Sequence, residues 1–271
     1  MPNDGDAPIR ILMISDIVGK AGRQAIARFL PQMADDIDLV VANGENAAGG
    51  FGLTPKVLAQ LFQSGVDVVT SGNHLWDRKE IIDVLATETR LLRPANFPAD
   101  VEGVGWTTYP ARDGTVVGVL NLMGRVFMKD LDCPFRVAEK AIEEIRRDTP
   151  IILVDIHAEA TSEKQAMGWF LDGRVSAVVG THTHIPTRDE RVLPQGTAYI
   201  TDVGMTGPHE SVIGIKAEDA IRRFLTQVPV KFRVAAEDIR MQAVIISVDP
   251  NSGRAIDIEF VEKHLEGAVQ E

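Results

Sequence analysis

Apolar residues along the chain fall into short runs, each closed by a polar, often glycine-bearing stretch. Runs of this length bounded by turn residues predict buried strands, and the segments between them carry the period of amphipathic helices. Residues 9–14 predict a first strand, closed by Ser15-Asp16. A glycine-spaced loop follows, then a helix to about Met33 with Ala25, Ile26, Phe29 and Leu30 on one face. Residues 39–42 predict a second strand, 55–63 a returning helix and 66–69 a third strand. Strands alternating with helices predict an α/β fold with parallel pairing. Further on, 78–86 reads as a helix, 91–93 as a short strand, and 104–109 with 115–122 as a hairpin about Asp113-Gly114. Residues 134–147 form an amphipathic helical pattern, and 151–156, 175–179 and 196–200 read as strands. Residues 201–209 read as a loop. The runs 230–235, 241–248 and 255–262 predict an antiparallel meander that closes the sheet, and His264 falls in a polar tail.

Polar residues able to hold a metal gather where these strands end. Asp16 follows the first, Glu45 and Asn46 the second, Asn73 and His74 the third, and His157 closes the strand at 151–156. The strand at 175–179 runs into Gly180-Thr181-His182-Thr183-His184. In extended backbone, residues two apart point the same way, so His182 and His184 can face one pocket. Open α/β sheets place ligands at these carboxyl ends. Singly, each has an ordinary explanation: Asp16 as a cap, Glu45-Asn46 in a solvated glycine loop, the histidines on a surface turn. Repetition at successive strand ends is hard to attribute to capping. Gly19 and Gly22 lack the third glycine and the following acid of a dinucleotide loop, and that reading is set aside.

The totals narrow the setting. With 271 residues, no linker and no repeat, one domain over 1–271 is expected, residues 1–8 forming a flexible N-terminal segment. Cys133 is alone, so no intrachain disulfide forms, and a cytoplasmic protein is expected. The first ten residues lack a basic leader, and no apolar run reaches membrane-spanning length. A formal charge of −11 argues against gripping long nucleic acids.

Taken in order, these residues resemble the calcineurin-like metallophosphoesterases, whose pattern is D-x-H, G-D, G-N-H, a lone H and G-H-x-H. Gly72-Asn73-His74 matches outright, and Gly180-Thr181-His182-Thr183-His184 matches with one inserted residue. Val18 stands where that superfamily has a histidine, and Glu45 where it has the bridging aspartate. Those departures, with Arg93-Pro94-Ala95-Asn96 and the stretch from Thr201 to Pro208, resemble the YmdB-type branch, along almost the whole chain.

The resemblance implies a four-layer α/β/β/α sandwich with mixed sheets and a phosphodiesterase acting on 2′,3′-cyclic nucleotides. It also implies two divalent or trivalent metal ions, Fe or Mn. One would be held by Asp16, Glu45, Asn46 and His184, the other by Glu45, Asn73, His157 and His182, with Glu45 bridging. His74 would be the catalytic acid, its side chain pointing away from Asn73 in strand-like backbone, or else a residue that only orients. Arg125 could steady phosphate, Phe127 could face a base and His209 could touch substrate, although surface pairing and core packing are the commoner fates. A broader phosphomonoesterase or protein phosphatase on the same metals, and a nucleotide- or metal-responsive regulator, stay open. The expected partner is a cyclic nucleotide, with no long nucleic acid and no membrane, and homo-oligomerisation is left open.

Overall fold

Strand β1 (Ile9–Ile14) shows how the layers arise. Successive side chains on a strand alternate in direction. Ile9, Ile11 and Met13 accordingly enter one core cluster, while Leu12 and Ile14 enter another. The computed structural model describes residues 7–265, so the N-terminal segment expected over 1–8 lies, except for Ala7 and Pro8, outside the described residues.

After β1 come β2 (Asp16–Ile17), α1 (Gly19–Met33), β3 (Leu39–Asn43), α2 (Pro55–Gln63), β4 (Val68–Thr70) and α3 (Ile82–Leu85). The middle of the chain supplies β5 (Trp106–Pro110), β6 (Val116–Met123), α4 (Pro134–Ile145), β7 (Ile152–His157), α5 (Thr161–Leu171) and β8 (Ala177–Thr181). Last are β9 (Arg191–Val192), β10 (Ala198–Ile200), β11 (Met205–Pro208), α6 (Ala217–Thr226), β12 (Ile239–Val248) and β13 (Ala255–Leu265). Local chemistry sets several boundaries. Thr54 caps α2 by accepting the Val57 N–H, and Pro55 supplies a first helical residue with no N–H to leave unpaired. Gly22 sits in α1 because a Cβ there would lie 2.3 Å from the Thr206 carbonyl oxygen, so the glycine spacing serves close packing.

Two mixed sheets result. The seven-stranded sheet runs β2-β11-β12-β1-β3-β4, with β13 beside β12, and the six-stranded sheet runs β5-β6-β7-β8-β10-β9. β1, β3 and β4 are parallel, as are β6, β7, β8 and β10. The expected antiparallel closure is made by β12 with β1 and β13.

Three apolar layers separate four structural ones. Ala25, Ile26 and Phe29 of α1 and Leu58 and Leu61 of α2 pack outside the first sheet. Met13, Val41 and Val68 meet Val119, Leu153 and Val179 between the sheets. Ala138, Ile142 and Ile145 of α4 and Met167 and Leu171 of α5 cover the second sheet. This is the four-layer α/β/β/α sandwich.

Several elements differ from expectation. Of residues 78–86 only α3 is α-helical, the rest being tight turns. Residues 91–93 make isolated bridges to Val69 and Val104, and 230–235 makes only one, from Val234 to Ile215. The supposed loop at 201–209 contains β11, and His264 belongs to β13 rather than a tail. Helices α5 and α6 add to the expected elements; α5 has no readable stripe, whereas α6 carries one in Ala217, Ala220, Ile221, Phe224 and Leu225. In α5 a lysine occupies a core position, and in α6 Ile221, Phe224 and Leu225 face outward. Among the described residues no helix is long and apolar enough to cross a membrane.

The buried lysine has a purpose. Lys164 Nζ lies 2.6 Å from Asp202 Oδ2 and donates to the Thr181 carbonyl at 2.7 Å, with both side chains fully buried. Asp202 also accepts from Thr183 N and Oγ1 and from Gly204 N, which fixes the segment leaving β8. Lys164→Met should strand the Asp202 carboxylate and cost about 3–5 kcal/mol in urea unfolding, as removal of one partner of a buried pair does. Adding Asp202→Asn should restore much of that loss. An unchanged unfolding midpoint in the single variant would remove the pair from this role.

Candidate active site

The carboxyl ends of β1, β3, β4, β7 and β8 converge at one end of the sandwich, so both sheets supply one site. Glu45 is fully buried just beyond β3. Its Oε1 lies 3.1 Å from His157 Nε2, and its Oε2 accepts the His74 N–H at 2.8 Å. His157 Nε2 is also 3.0 Å from Asn73 Oδ1 and 3.0 Å from His182 Nδ1. Asp16, at the start of β2, accepts the His182 N–H at 3.0 Å through Oδ2. Its Oδ1 is 3.7 Å from His184 Nε2. Asn46 Nδ2 lies 3.4 Å from both His184 Nε2 and Glu45 Oε1. The structure therefore brings Asp16, Glu45, Asn46, Asn73, His157, His182 and His184 together.

Each imidazole has its outer nitrogen fixed. The Thr181 hydroxyl donates to Asp155 Oδ1 at 2.7 Å, so it accepts the Nδ1–H of His157, 3.0 Å away. His184 Nδ1–H donates to the Ile213 carbonyl at 3.0 Å. His182 Nε2 is 3.1 Å from Glu159 Oε2. The partner of one ring nitrogen decides what the other offers. Here the inward nitrogens are His157 Nε2, His182 Nδ1 and His184 Nε2, each of which offers a lone pair when its ring is neutral.

A cation fits this arrangement. Asp16 Oδ1 and Asn46 Oδ1 are buried without any hydrogen-bond partner. Buried oxygens are rarely left so, and each such orphan calls for an ion or other partner. Ligand atoms of Glu45, His157 and His182 all lie within 4.8 Å of one another. Atoms bonded to one metal at about 2.0–2.2 Å sit at such mutual separations. Nitrogen and oxygen donors without thiolate suit Fe, Mn or Zn better than Mg or Ca.

Electrostatics say the same. Burial alone would raise Asp16, but the nearby His184 and the charge of His157 hold it well below the usual carboxylate range. Burial likewise opposes Glu45, which His157 brings down. In return His157, despite burial, is lifted to about 9 by Glu45 and Asp16, while burial and the His157 charge press His182 down to about 3. These carboxylates require positive charge beside them, and a proton on His157 is the cation that the cluster can make for itself.

The backbone differs from expectation at both histidine motifs. β8 ends at Thr181, and His182 and His184 lie in the left-handed region, with φ of 100° and 64°. They converge because the segment bends, not because it is extended. His74 occupies the turn before Leu75–Asp77 instead of a strand. Its Nδ1 is 2.8 Å from Asp77 Oδ2 and its ring meets Phe51 edge-on at 5.0 Å, leaving Nε2 for the cleft. The motif glycines provide room. A Cβ on Gly72 would lie 2.1 Å from the His157 ring, and one on Gly180 would lie 1.7 Å from the Thr201 carbonyl oxygen.

At the cluster lies a cleft of ≈ 290 Å³ whose polar lining includes Glu45, Asn46, His74, Glu159, His182 and His184. Val18, Phe51, Ile213, Ile215 and Phe232 are its apolar lining. Arg125, Phe127 and His209 are not part of this lining. Glu163 holds the Arg125 and Val126 N–H groups, Phe127 is 90% exposed, and His209 Nε2 is spent on the Met205 carbonyl at 3.1 Å. A larger hollow of ≈ 520 Å³, lined by Arg146, Arg147 and Arg254 at the other end of the parallel strands, gathers no comparable ligand set.

Sequence reasoning passed over Asp155, Thr181, Glu159 and the Ile213 carbonyl. Asp155 and Glu159 stand two residues either side of His157, a spacing that could have marked them. Ile213 acts through its backbone and carries no such signal.

Known proteins resemble this chain over most of its length. A 2′,3′-cyclic-nucleotide 2′-phosphodiesterase of Bacillus subtilis (strain 168) is 49% identical over 255 residues, spanning 93% of this chain and 96% of that protein. The crystal structure of a hypothetical protein from Thermus thermophilus matches with a TM-score of 0.90 at 43% identity, over 94% of this chain and 99% of that one. That of a novel phosphatase from Mycoplasma pneumoniae gives 0.88 at 35% identity, over 95% and 94%. The sequence profile described as YmdB-like protein matches residues 12–261, and the chain belongs to that family.

Proposed function

We propose that this chain is a metal-dependent phosphodiesterase that opens 2′,3′-cyclic nucleotides at the 2′ ester. The observation that carries the reading is the cluster of inward lone pairs. Three imidazoles, each fixed from behind, face two buried carboxylates and two amides. The name of the Bacillus subtilis relative supports the substrate class.

Asp16, Glu45, Asn46 and His184 would hold one ion, and Glu45, Asn73, His157 and His182 the other, Fe or Mn in each case. Glu45 alone belongs to both sets, since a carboxylate has two oxygens to share. When bound, the ions would neutralise phosphoryl charge and make water a competent nucleophile at neutral pH.

The chain's own residues do the rest. Water adds to phosphorus and loses a proton, while the bond from phosphorus to the 2′ oxygen breaks. The departing alkoxide needs a proton, and His74, which lines the cleft with Nδ1 held by Asp77, would give it from Nε2. Asp77, on Nδ1, steadies the imidazolium before that transfer and keeps the ring turned inward. The product is a nucleoside 3′-monophosphate. Arg125, Phe127 and His209 have no part in this scheme. A wider phosphatase activity is the second reading, favoured by the name of the Mycoplasma pneumoniae relative. Rates on 2′,3′-cyclic AMP, 3′,5′-cyclic AMP, p-nitrophenyl phosphate and a phosphopeptide, after chelation and reloading with Mn or Fe, separate the two. A preference for the phosphopeptide or monoester would overturn the first.

Glu45→Gln should reduce both metals together by elemental analysis, because one residue serves both positions. Loss of only one ion would tell against a bridge. His74→Ala should keep its metals and fold yet lose roughly 10²–10⁴-fold in kcat on 2′,3′-cyclic AMP. The loss should shrink on bis(p-nitrophenyl) phosphate, whose leaving group departs without a proton. Equal losses on both esters would make His74 a positioning residue.

A further inference from the structure

The cleft is lined by two unlike sets of residues, and phosphate chemistry uses only one. The same cleft that holds the carboxylates and imidazoles is also lined by Val18, Phe51, Ile213, Ile215 and Phe232. Ile213 is 49% exposed and Phe232 39% exposed, so apolar surface is presented to the cleft instead of the core.

Ile213 also sits in an uncomfortable backbone. Val212 and Ile215 exchange two backbone hydrogen bonds, at 2.8 and 3.0 Å, around the two-residue turn Ile213-Gly214. Both turn residues have positive φ, 48° and 98°. A turn of that kind favours Asn, Asp or Gly at its first position, and a β-branched residue there is an outlier. Strain of this sort persists where the surroundings enforce it, and it collects at functional sites. The turn is well enforced. Ser211 Oγ accepts the Gly214 N–H at 2.9 Å, and the Ile213 carbonyl accepts from His184. The neighbouring segment is tied on by Ala235 N to the Gly214 carbonyl, 2.9 Å, and by Lys216 N to the Arg233 carbonyl, 2.8 Å. That pairing brings Phe232 alongside. Asparagine would relieve the turn but would put an amide where the cleft has a branched hydrocarbon.

We propose that Phe51, Ile213 and Phe232 form a nucleobase-binding wall, and that Ile213 is kept in its strained turn to complete it. The inference rests on the cyclic-nucleotide reading above and adds how the substrate is chosen. A ligand with its phosphate among the imidazoles projects its remaining part toward this wall. A base has a flat apolar face suited to aromatic and aliphatic contact, and stacking on such side chains tolerates any base. A phosphorylated peptide or a simple phosphomonoester has no equivalent group to place there.

The test compares 2′,3′-cyclic AMP with the 2′,3′-cyclic phosphate of methyl ribofuranoside, which lacks the base, on the metal-loaded full chain. The wild type should favour the nucleotide by roughly tenfold or more in kcat/KM. Ile213→Asn and, independently, Phe232→Ala should each shrink that preference toward unity. Ile213→Asn should hold or raise Tm, because Asn tolerates the turn. A fall in Tm would assign its lost preference to damaged structure and leave Phe232→Ala to decide. Equal rates of the wild type on both esters, or a full preference kept by Phe232→Ala, would overturn the wall. Calorimetric binding of adenosine 3′-monophosphate against ribose 3-phosphate reads the same contact without turnover. If neither ester is hydrolysed while the adenosine compound binds tighter, the phosphodiesterase reading fails and the wall stands. Equal affinities would sink the wall whatever the hydrolysis result.

Discussion

The arrangement depends on one interior carboxylate. Asp155 lies on β7 of the second sheet and accepts hydrogen bonds from Asn43 and Thr70 of the first, as well as from Thr181 of β8. The apolar layer between the sheets gives the larger share of stability, but burial is non-directional and tolerates sliding. Hydrogen bonds in a dry interior have fixed lengths and angles, and leaving one unmade is costly. Asp155 therefore sets how the two sheets lie on each other. That registry matters because Asp16, Glu45, Asn46 and Asn73 follow strands of one sheet and His157, His182 and His184 those of the other. Burial has pushed its carboxyl up to about 6, and it keeps three donors all the same.

The same residue shows what the sequence could and could not disclose. Strand-forming runs and the polar residues that end them were legible, because strand period and ligand type are both local properties. β1, α2 and the hairpin of β5 with β6 stood close to where pattern placed them. Asp155 was read only as part of a strand, since its partners come from three other segments. Helix α5 was missed because Lys164 interrupts its apolar face, and that lysine makes sense only beside Asp202. The convergence of His182 and His184 was foreseen on the wrong geometry. Extended backbone was assumed, whereas a left-handed bend pinned by Asp202 delivers it.

Three departures from local backbone preference lie at the cleft. His182, His184 and Ile213 all have positive φ, and Ile213 links its own turn to the His184 ring through a carbonyl. Elsewhere α1, α2 and α4 follow ordinary amphipathic rules. The other non-glycine residues with positive φ among those described, Phe127, Arg188, Gln227 and Asp238, lie outside the cleft lining, so strain there needs no ligand to explain it.

Gly72 has a consequence for how such a sequence can change over time. The hydrogen in place of its side chain is the seat of the His157 ring, which a methyl group would strike at 2.1 Å. The glycine of Gly72-Asn73-His74 thus answers to a histidine in another sheet, not to the loop around it. Any lineage that enlarges residue 72 must first shift or surrender His157, and both routes pass through a broken site. The two positions are one steric unit, although a motif written along the chain displays them as two.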